Sequence, residues 1–279
     1  LVGVGLDLCT GREPFPVSIF LGRKLWRNRT MSLLNDKIGL ITGGSSGIGL
    51  AIAKRFAAEG ARVLISGRRA DAIEEAIRQI GDRASGFVGD VADPVFHGLV
   101  ADEIAERFGG LDIYVANAGI NTIRHSSEVS EAEYDAQFGI NARGAFFGVQ
   151  KTAPILRDGG AIVLTGSLAS EKVLDGHAVY AGAKAAINAF ARSWALEFKD
   201  RRIRVNVLSP GPTDTAILDK LGVPPEQRSS FAEAMAAAIP LGRMGQADEL
   251  ANAALFLASD ASSFVTGINL RVDGGMALL

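Results

Sequence analysis

Three side chains near the middle of the chain could together move a proton to or from a carbonyl oxygen. Ser167 follows an apolar run, and thirteen residues later comes Tyr180-Ala181-Gly182-Ala183-Lys184. Residues at i and i+4 share one face of a helix, so Tyr180 and Lys184 can act at one point. A phenol with an ordinary pKa of ~10 is a poor acid–base at neutral pH unless a nearby cation stabilises its phenolate. Lys184 can supply that cation, and the Ser167 hydroxyl can orient a substrate oxygen while the phenol exchanges its proton.

A second chemical signal lies upstream, in Thr42-Gly43-Gly44-Ser45-Ser46-Gly47-Ile48-Gly49, between a β-branched run and an alanine-rich helical stretch. Glycines in such a turn let the backbone approach a pyrophosphate seated on the helix N-terminus. The spacing is Gly-x-x-x-Gly-x-Gly and no Walker lysine follows, so a dinucleotide is expected on Gly43, Ser45, Ser46, Gly47, Ile48 and Gly49. The next β-branched run ends in Ser66-Gly67-Arg68-Arg69. Where an NAD site places an acid for the ribose hydroxyls stands Gly67, followed by two guanidiniums suited to a 2′-phosphate. NADP(H) is therefore favoured over NAD(H); the competing reading is two solvated arginines at a strand end.

Positioning these groups requires an alternation of strands and helices. β-Branched runs at Ile38–Thr42, Arg62–Ser66, Ser85–Gly89, Leu111–Ala116, Ala161–Gly166, Ile203–Leu208 and Ile268–Val272 read as strands, several apolar nearly throughout, as in sheets covered on both faces. Helices are expected over Ile48–Glu59, Asp71–Ile80, Val95–Phe108, Glu131–Leu156, Val179–Phe198 and Ala247–Ser259, with Asp71, Asp93 and Ser130 as N-caps. The predicted fold is α/β: one doubly wound Rossmann-type domain over residues 31–279, a seven-stranded parallel sheet with helices on both faces.

The composition excludes several other classes. The chain has 279 residues, 48 % hydrophobic and 22 % charged, with a net charge of −2. That is enough apolar surface for a large core, and no field that favours nucleic acid or an anionic membrane. The lone Cys9 permits no internal disulfide, and no apolar run is long enough for a span, so a cytoplasmic protein without membrane partners is expected. Residues 1–30 differ, with five basic residues against two acids. They read as a disordered or non-native extension ahead of Met31, or else as a basic targeting arm.

Taken in order, the glycine turn, Asp90-Val91, Ala116-Asn117-Ala118-Gly119, Asn141, Ser167, Tyr180, Lys184, Pro210-Gly211 and the ending Val272-Asp273-Gly274-Gly275 resemble the short-chain dehydrogenase/reductase family. The resemblance covers Met31 to the end, and Pro240-Leu241-Gly242-Arg243-Met244-Gly245 is similar to its 3-oxoacyl-carrier-protein-reductase-like group. It implies hydride transfer between NADP(H) and a ketone or secondary alcohol. The alternatives are an NAD-dependent alcohol or sugar dehydrogenase and, on the same fold, a non-catalytic dinucleotide sensor. By resemblance Tyr180 is the acid–base, and Lys184 lowers its pKa and holds the nicotinamide ribose. Ser167 polarises the carbonyl, and Asn141 supports a water relay. Asp90 and Val91 meet the adenine, while Asn117, Ala118 and Gly119 line the cleft. Pro210 and Gly211 form the turn before Thr213 and Thr215, which hold the carboxamide and neighbouring phosphate. Ala116 departs from the family's first asparagine. A substrate lid is expected over 216–241, and a homotetramer through the small-residue helix face Ala181, Gly182, Ala185, Ala186 and Ala189.

The remaining candidates stay open on sequence. Phe231, Met235 and Ile239 face either substrate or core, and His177 either edges the pocket or is a solvated loop residue. His97 and His125 do not cluster with acids, so no metal site is expected. Glu171-Lys172 reads as a surface pair.

Overall fold

A computed structural model describes residues 32–172, 175–215 and 228–279. The extension 1–30 and the first part of the expected lid, including Pro224 and Pro225, lie outside the described residues. The described residues contain nine strands. They are β1 (Ile38–Thr42), β2 (Arg62–Gly67), β3 (Ala84–Val88), β4 (Leu111–Ala116), β5 (Leu156–Thr165), β6 (Arg204–Pro210), β7 (Thr213–Asp214), β8 (Gly245–Gln246) and β9 (Asn269–Val272). Seven of them make one parallel sheet in the order β3-β2-β1-β4-β5-β6-β9, and β7 pairs with β8 beyond it. The order reverses between β1 and β4, the point at which such sheets open a ligand crevice at their carboxyl ends.

Eight α-helices connect them: α1 (Gly47–Ala58), α2 (Ala70–Ile80), α3 (Pro94–Phe108), α4 (Glu131–Phe138), α5 (Gly144–Thr152), α6 (Ala178–Glu197), α7 (Arg228–Ala237) and α8 (Ala247–Ala258). Alternate strand residues feed two cores. Ile41, Val63, Ile65, Val115, Val163 and Leu208 pack with α1, α2 and α8. Leu40, Leu64, Tyr114, Ile162, Leu164 and Val207 pack with α3, α5 and α6 on the other face. Burial on both faces explains why these strands are apolar nearly throughout, and each large side chain so buried contributes about 1.5–3 kcal/mol.

The expected long helix over Glu131–Leu156 is instead divided. A π-helical turn at Gly139–Arg143 separates α4 from α5, a 3-10 turn follows at Ala153–Ile155, and β5 begins at Leu156. Apolar periodicity does not register one inserted residue, so the break was invisible in the pattern. Ser130 does cap α4, its hydroxyl accepting from Glu133 N while the Glu133 carboxylate accepts from Ser130 N. Asp93 caps α3 by accepting from Val95 N. Asp71 is not a cap: α2 starts at Ala70 with Arg69 in the cap position, and Asp71 lies in the first turn, where its charge suits the helix dipole.

A third, smaller cluster of Leu168, Ile239, Met244 and Met276 is joined by the half-buried Met235. Ile239 and Met235 are thus packing residues; the side chain of Phe231 lies outside the described residues. Glu171 and Lys172 do not form the surface pair that adjacency implied. Glu171 accepts from Asn269 and Arg271, while Lys172 Nζ donates to the Met276 and Leu279 carbonyls, both at 3.0 Å.

Candidate active site

β1 delivers the glycine turn to the reversal point. Gly43 is at φ +65° and Gly47 at φ +53°, backbone conformations that side chains rarely adopt. A Cβ on Gly49 would lie 2.3 Å from the Gly43 carbonyl, so the turn folds on itself only with glycine there. α1 then starts at Gly47 with no side-chain cap from Ser46 and no acid in its first turn. Uncapped N–H groups at a helix start, reached through a side-chain-free turn, fit a dinucleotide pyrophosphate. Ile48 is the second residue of that helix, and Ser45 stands over the end of β2, its Oγ 3.2 Å from where a Gly67 Cβ would be. Arg68 and Arg69 are exposed just beyond.

Across the reversal, β1 is laced to the end of β4 through a residue that the motif analysis left without a role. Thr42, almost fully buried, accepts on Oγ1 from Asn117 N at 3.0 Å and Ala118 N at 3.1 Å. Asn117 Nδ2 returns a bond to the Thr42 carbonyl at 3.0 Å, and Thr165 Oγ1 reaches Asn117 Oδ1 at 3.4 Å. Its position directly before the glycines was the available signal for Thr42. The buried Ala116 occupies the strand end just before this lacing. Asp90 is exposed beyond β3 with Oδ1 accepting from Ala92 N, and Val91 beside it is buried.

The π-helical turn aims Asn141 at the same edge. Its amide accepts from Ile120 N at 3.0 Å and donates to the Ile120 carbonyl at 2.8 Å, clamping the segment after Gly119. A Cβ on Gly119 would lie 2.8 Å from Asn141 Oδ1 and 3.5 Å from Lys184 Nζ, so Gly119, Asn141 and Lys184 meet at one place.

α6 carries Tyr180 and Lys184 in its first two turns. Ser167, in the segment after β5, stands by the Tyr180 phenol and pulls its pKa down against a larger upward push from burial. Lys184 is buried, and desolvation lowers its pKa to about 8. Its Nζ donates to the Thr165 carbonyl at 2.7 Å and stands 5.9 Å from the Tyr180 ring centroid. The expected phenolate support from Lys184 therefore differs from the arrangement here: the ammonium is turned to a backbone carbonyl, and the phenol is held above its ordinary value. His177 abuts this group, its ring edge-to-face with Tyr180 at 6.3 Å.

Pro210 and Gly211 end β6, and a Cβ on Gly211 would strike Asp273 at 2.7 Å. Thr213 is buried with its hydroxyl on the Gly211 carbonyl at 2.9 Å, while Thr215 lies 3.8 Å from where a Gly47 Cβ would be. His97 is buried with its Nε2 on the Val91 carbonyl, and His125 bonds Ser127. Among the described residues no group of three metal-ligating side chains forms, and no helix is long and apolar enough to cross a membrane.

Comparison with known proteins agrees with this architecture. The family described as enoyl-(acyl carrier protein) reductase matches residues 43–277. A D-threitol dehydrogenase of Mycolicibacterium smegmatis is 36 % identical over 88 % of this chain and 94 % of its own. A versicolorin reductase of Emericella nidulans is 36 % identical over 87 % of this chain and 96 % of its own. A solved structure of a short chain dehydrogenase/reductase family protein superposes with a TM-score of 0.79 at 39 % identity, covering 88 % of this chain and all of that one. With its glycine turn at the strand reversal and Ser167, Tyr180 and Lys184 at the same sheet edge, the chain belongs to the short-chain dehydrogenase/reductase family, oxidoreductases that use a nicotinamide dinucleotide on CH–OH and carbonyl groups.

Proposed function

We propose that this enzyme reversibly reduces a ketone to a secondary alcohol with NADP(H). The observation that carries the reading is the convergence of the Ser167 hydroxyl and the Tyr180 phenol beside the buried Lys184. The bound dinucleotide would supply or take up the hydride at the substrate carbon. Ser167 holds the substrate oxygen, and Tyr180 gives it a proton in reduction and removes that proton in oxidation. A phenol raised by burial is a competent proton donor; its return as a base requires a cation, which Lys184 provides once its ammonium turns from Thr165 toward the phenol and the nicotinamide ribose. Asn141 keeps the Ile120 edge in place and supports a water relay behind Lys184.

Gly43, Ser45, Ser46, Gly47, Ile48 and Gly49 would hold the pyrophosphate, Asp90 and Val91 the adenine, and Asn117, Ala118 and Gly119 the cleft floor. Pro210, Gly211, Thr213 and Thr215 would border the nicotinamide end. Arg68 and Arg69, which form no ion pair among the described residues, would bind the 2′-phosphate. Residues 216–241 act as substrate lid, and residues 1–30 are an extension outside the catalytic domain. The exposed small residues Gly182, Ala185 and Ala189 on α6 support a homotetramer, and the single cysteine supports a cytoplasmic location.

Calorimetric titration with NADPH and NADH tests the cofactor reading. NADPH should bind more tightly, and Arg68→Ala with Arg69→Ala should weaken it about 10- to 100-fold, the range for lost bonds to a charged group. Tighter NADH binding would overturn it. Tyr180→Phe should abolish turnover while leaving NADPH affinity nearly unchanged; retained activity would remove Tyr180 from the mechanism.

A further inference from the structure

We infer that His177 selects substrates bearing a second hydroxyl on the carbon next to the reacting one, so that vicinal diols and α-hydroxyketones are preferred. The inference rests on the Ser167–Tyr180 reading above. His177 stands at the start of α6, three residues before Tyr180, and its ring meets the Tyr180 ring edge-to-face at 6.3 Å. Its Nδ1 lies 2.8 Å from the Asp175 carbonyl. A carbonyl can only accept, so Nδ1 carries the proton, and the neutral imidazole presents Nε2 as a lone pair. Nε2 has no hydrogen-bond partner among the described residues.

The segment carrying His177 is held in place rather than loose. Arg124 N donates to the Gly176 carbonyl at 2.9 Å, joining the loop after β4 to the loop before α6. Gly176 adopts φ +71°, and a Cβ there would lie 2.9 Å from Ile123 Cγ2. The facing loop carries Asn121, whose Oδ1 is buried and receives no hydrogen bond. The buried Asn121 Oδ1 is an acceptor without a donor, and the solvent-accessible His177 Nε2 at this edge is open to a hydroxyl donor from a bound substrate.

Among the described residues, the cations nearby are already engaged. Arg124 Nε holds Glu133 at 2.8 Å, Lys172 holds two backbone carbonyls, and Lys184 holds Thr165. A substrate carboxylate would find committed partners, whereas a hydroxyl finds a waiting lone pair. When one substrate oxygen sits on Tyr180 and Ser167, an oxygen on the adjoining carbon lies about one hydrogen-bond length away, toward the flanking ring.

The test compares 1,2-cyclohexanediol with cyclohexanol as substrates at saturating oxidised cofactor. The parent should prefer the diol in kcat/KM by about tenfold or more, the value of one satisfied hydrogen bond. His177→Phe should lower the diol's kcat/KM at least about tenfold more than cyclohexanol's, and His177→Gln, whose amide oxygen can accept, should restore part of the preference. Equal losses on both alcohols would assign His177 a packing role and overturn the inference, as would turnover of both without diol preference in the parent. Turnover of neither alcohol would overturn the secondary-alcohol reading itself, and the inference with it.

Discussion

Replacing Thr42 with valine keeps the side chain's shape and removes one oxygen. That oxygen accepts from Asn117 N at 3.0 Å and Ala118 N at 3.1 Å at a position 3 % exposed. Valine leaves the part-buried Ala118 N–H without its partner, while Asn117 N keeps the Val115 carbonyl at 3.1 Å. A group so orphaned costs about 1–3 kcal/mol, so the substitution should destabilise the protein by about that amount. At about 2–4 °C per kcal/mol for a domain of this size, the thermal midpoint should fall by roughly 2–12 °C. Thr42→Ser is the control: it keeps the acceptor and loses one methyl, a cost of about 1 kcal/mol. Urea unfolding of the three proteins, extrapolated linearly, reads the difference. Because Ala118 leads directly to Gly119 at the cofactor edge, the valine variant should also bind NADPH more weakly than the serine variant. A valine variant as stable as the serine control would refute the reasoning, showing that the Ala118 N–H finds another partner.

Gly119→Ala should lower kcat by about tenfold or more and lower the thermal midpoint as well, because the buried Asn141 amide loses its two bonds to Ile120. The new methyl would lie 2.8 Å from Asn141 Oδ1, forcing the amide off Ile120 beside Lys184; unchanged kcat would show that the edge tolerates the shift. Lys184 predicts a pH-dependent stability. Its folded pKa of about 8 lies below the ordinary value of 10.5, so between these the unfolded chain binds more protons. The cost of burying the ammonium is full below pH 8 and is relieved as pH rises toward ~10.5, a gain of roughly 3 kcal/mol. Urea midpoints of the dinucleotide-free protein from pH 7 to 10 should show this rise in the parent and lack it in Lys184→Met; equal slopes would place the titration elsewhere.

Much of the frame was legible because its causes are local. Parallel strands covered on both faces must be largely apolar, and runs such as Leu111–Ala116 and Ile203–Leu208 announce that directly. The Ser130 cap could be read for the same reason: cap and partner lie three residues apart. The Tyr180–Lys184 spacing likewise assigns both residues to one helix, α6, whatever surrounds it. Where an element depended on its neighbours, local pattern misled. The π-helical turn that aims Asn141 breaks a run whose periodicity reads as one helix, and Glu171-Lys172 turns to a strand and carbonyls about a hundred residues away.

The amino-acid sequence by itself determined the order of strands and helices, the glycine turn and the residue types available for proton and hydride chemistry, since each follows from short-range sterics and periodicity. Only the tertiary structure decided that Thr42 laces β1 to β4, that Lys184 faces the Thr165 carbonyl, and that the His177 ring, its Nδ1 on the Asp175 carbonyl, lies edge-to-face with Tyr180. These depend on which groups are desolvated together and which hydrogen-bond acceptor stands nearest, and that is settled by packing between segments distant in the chain.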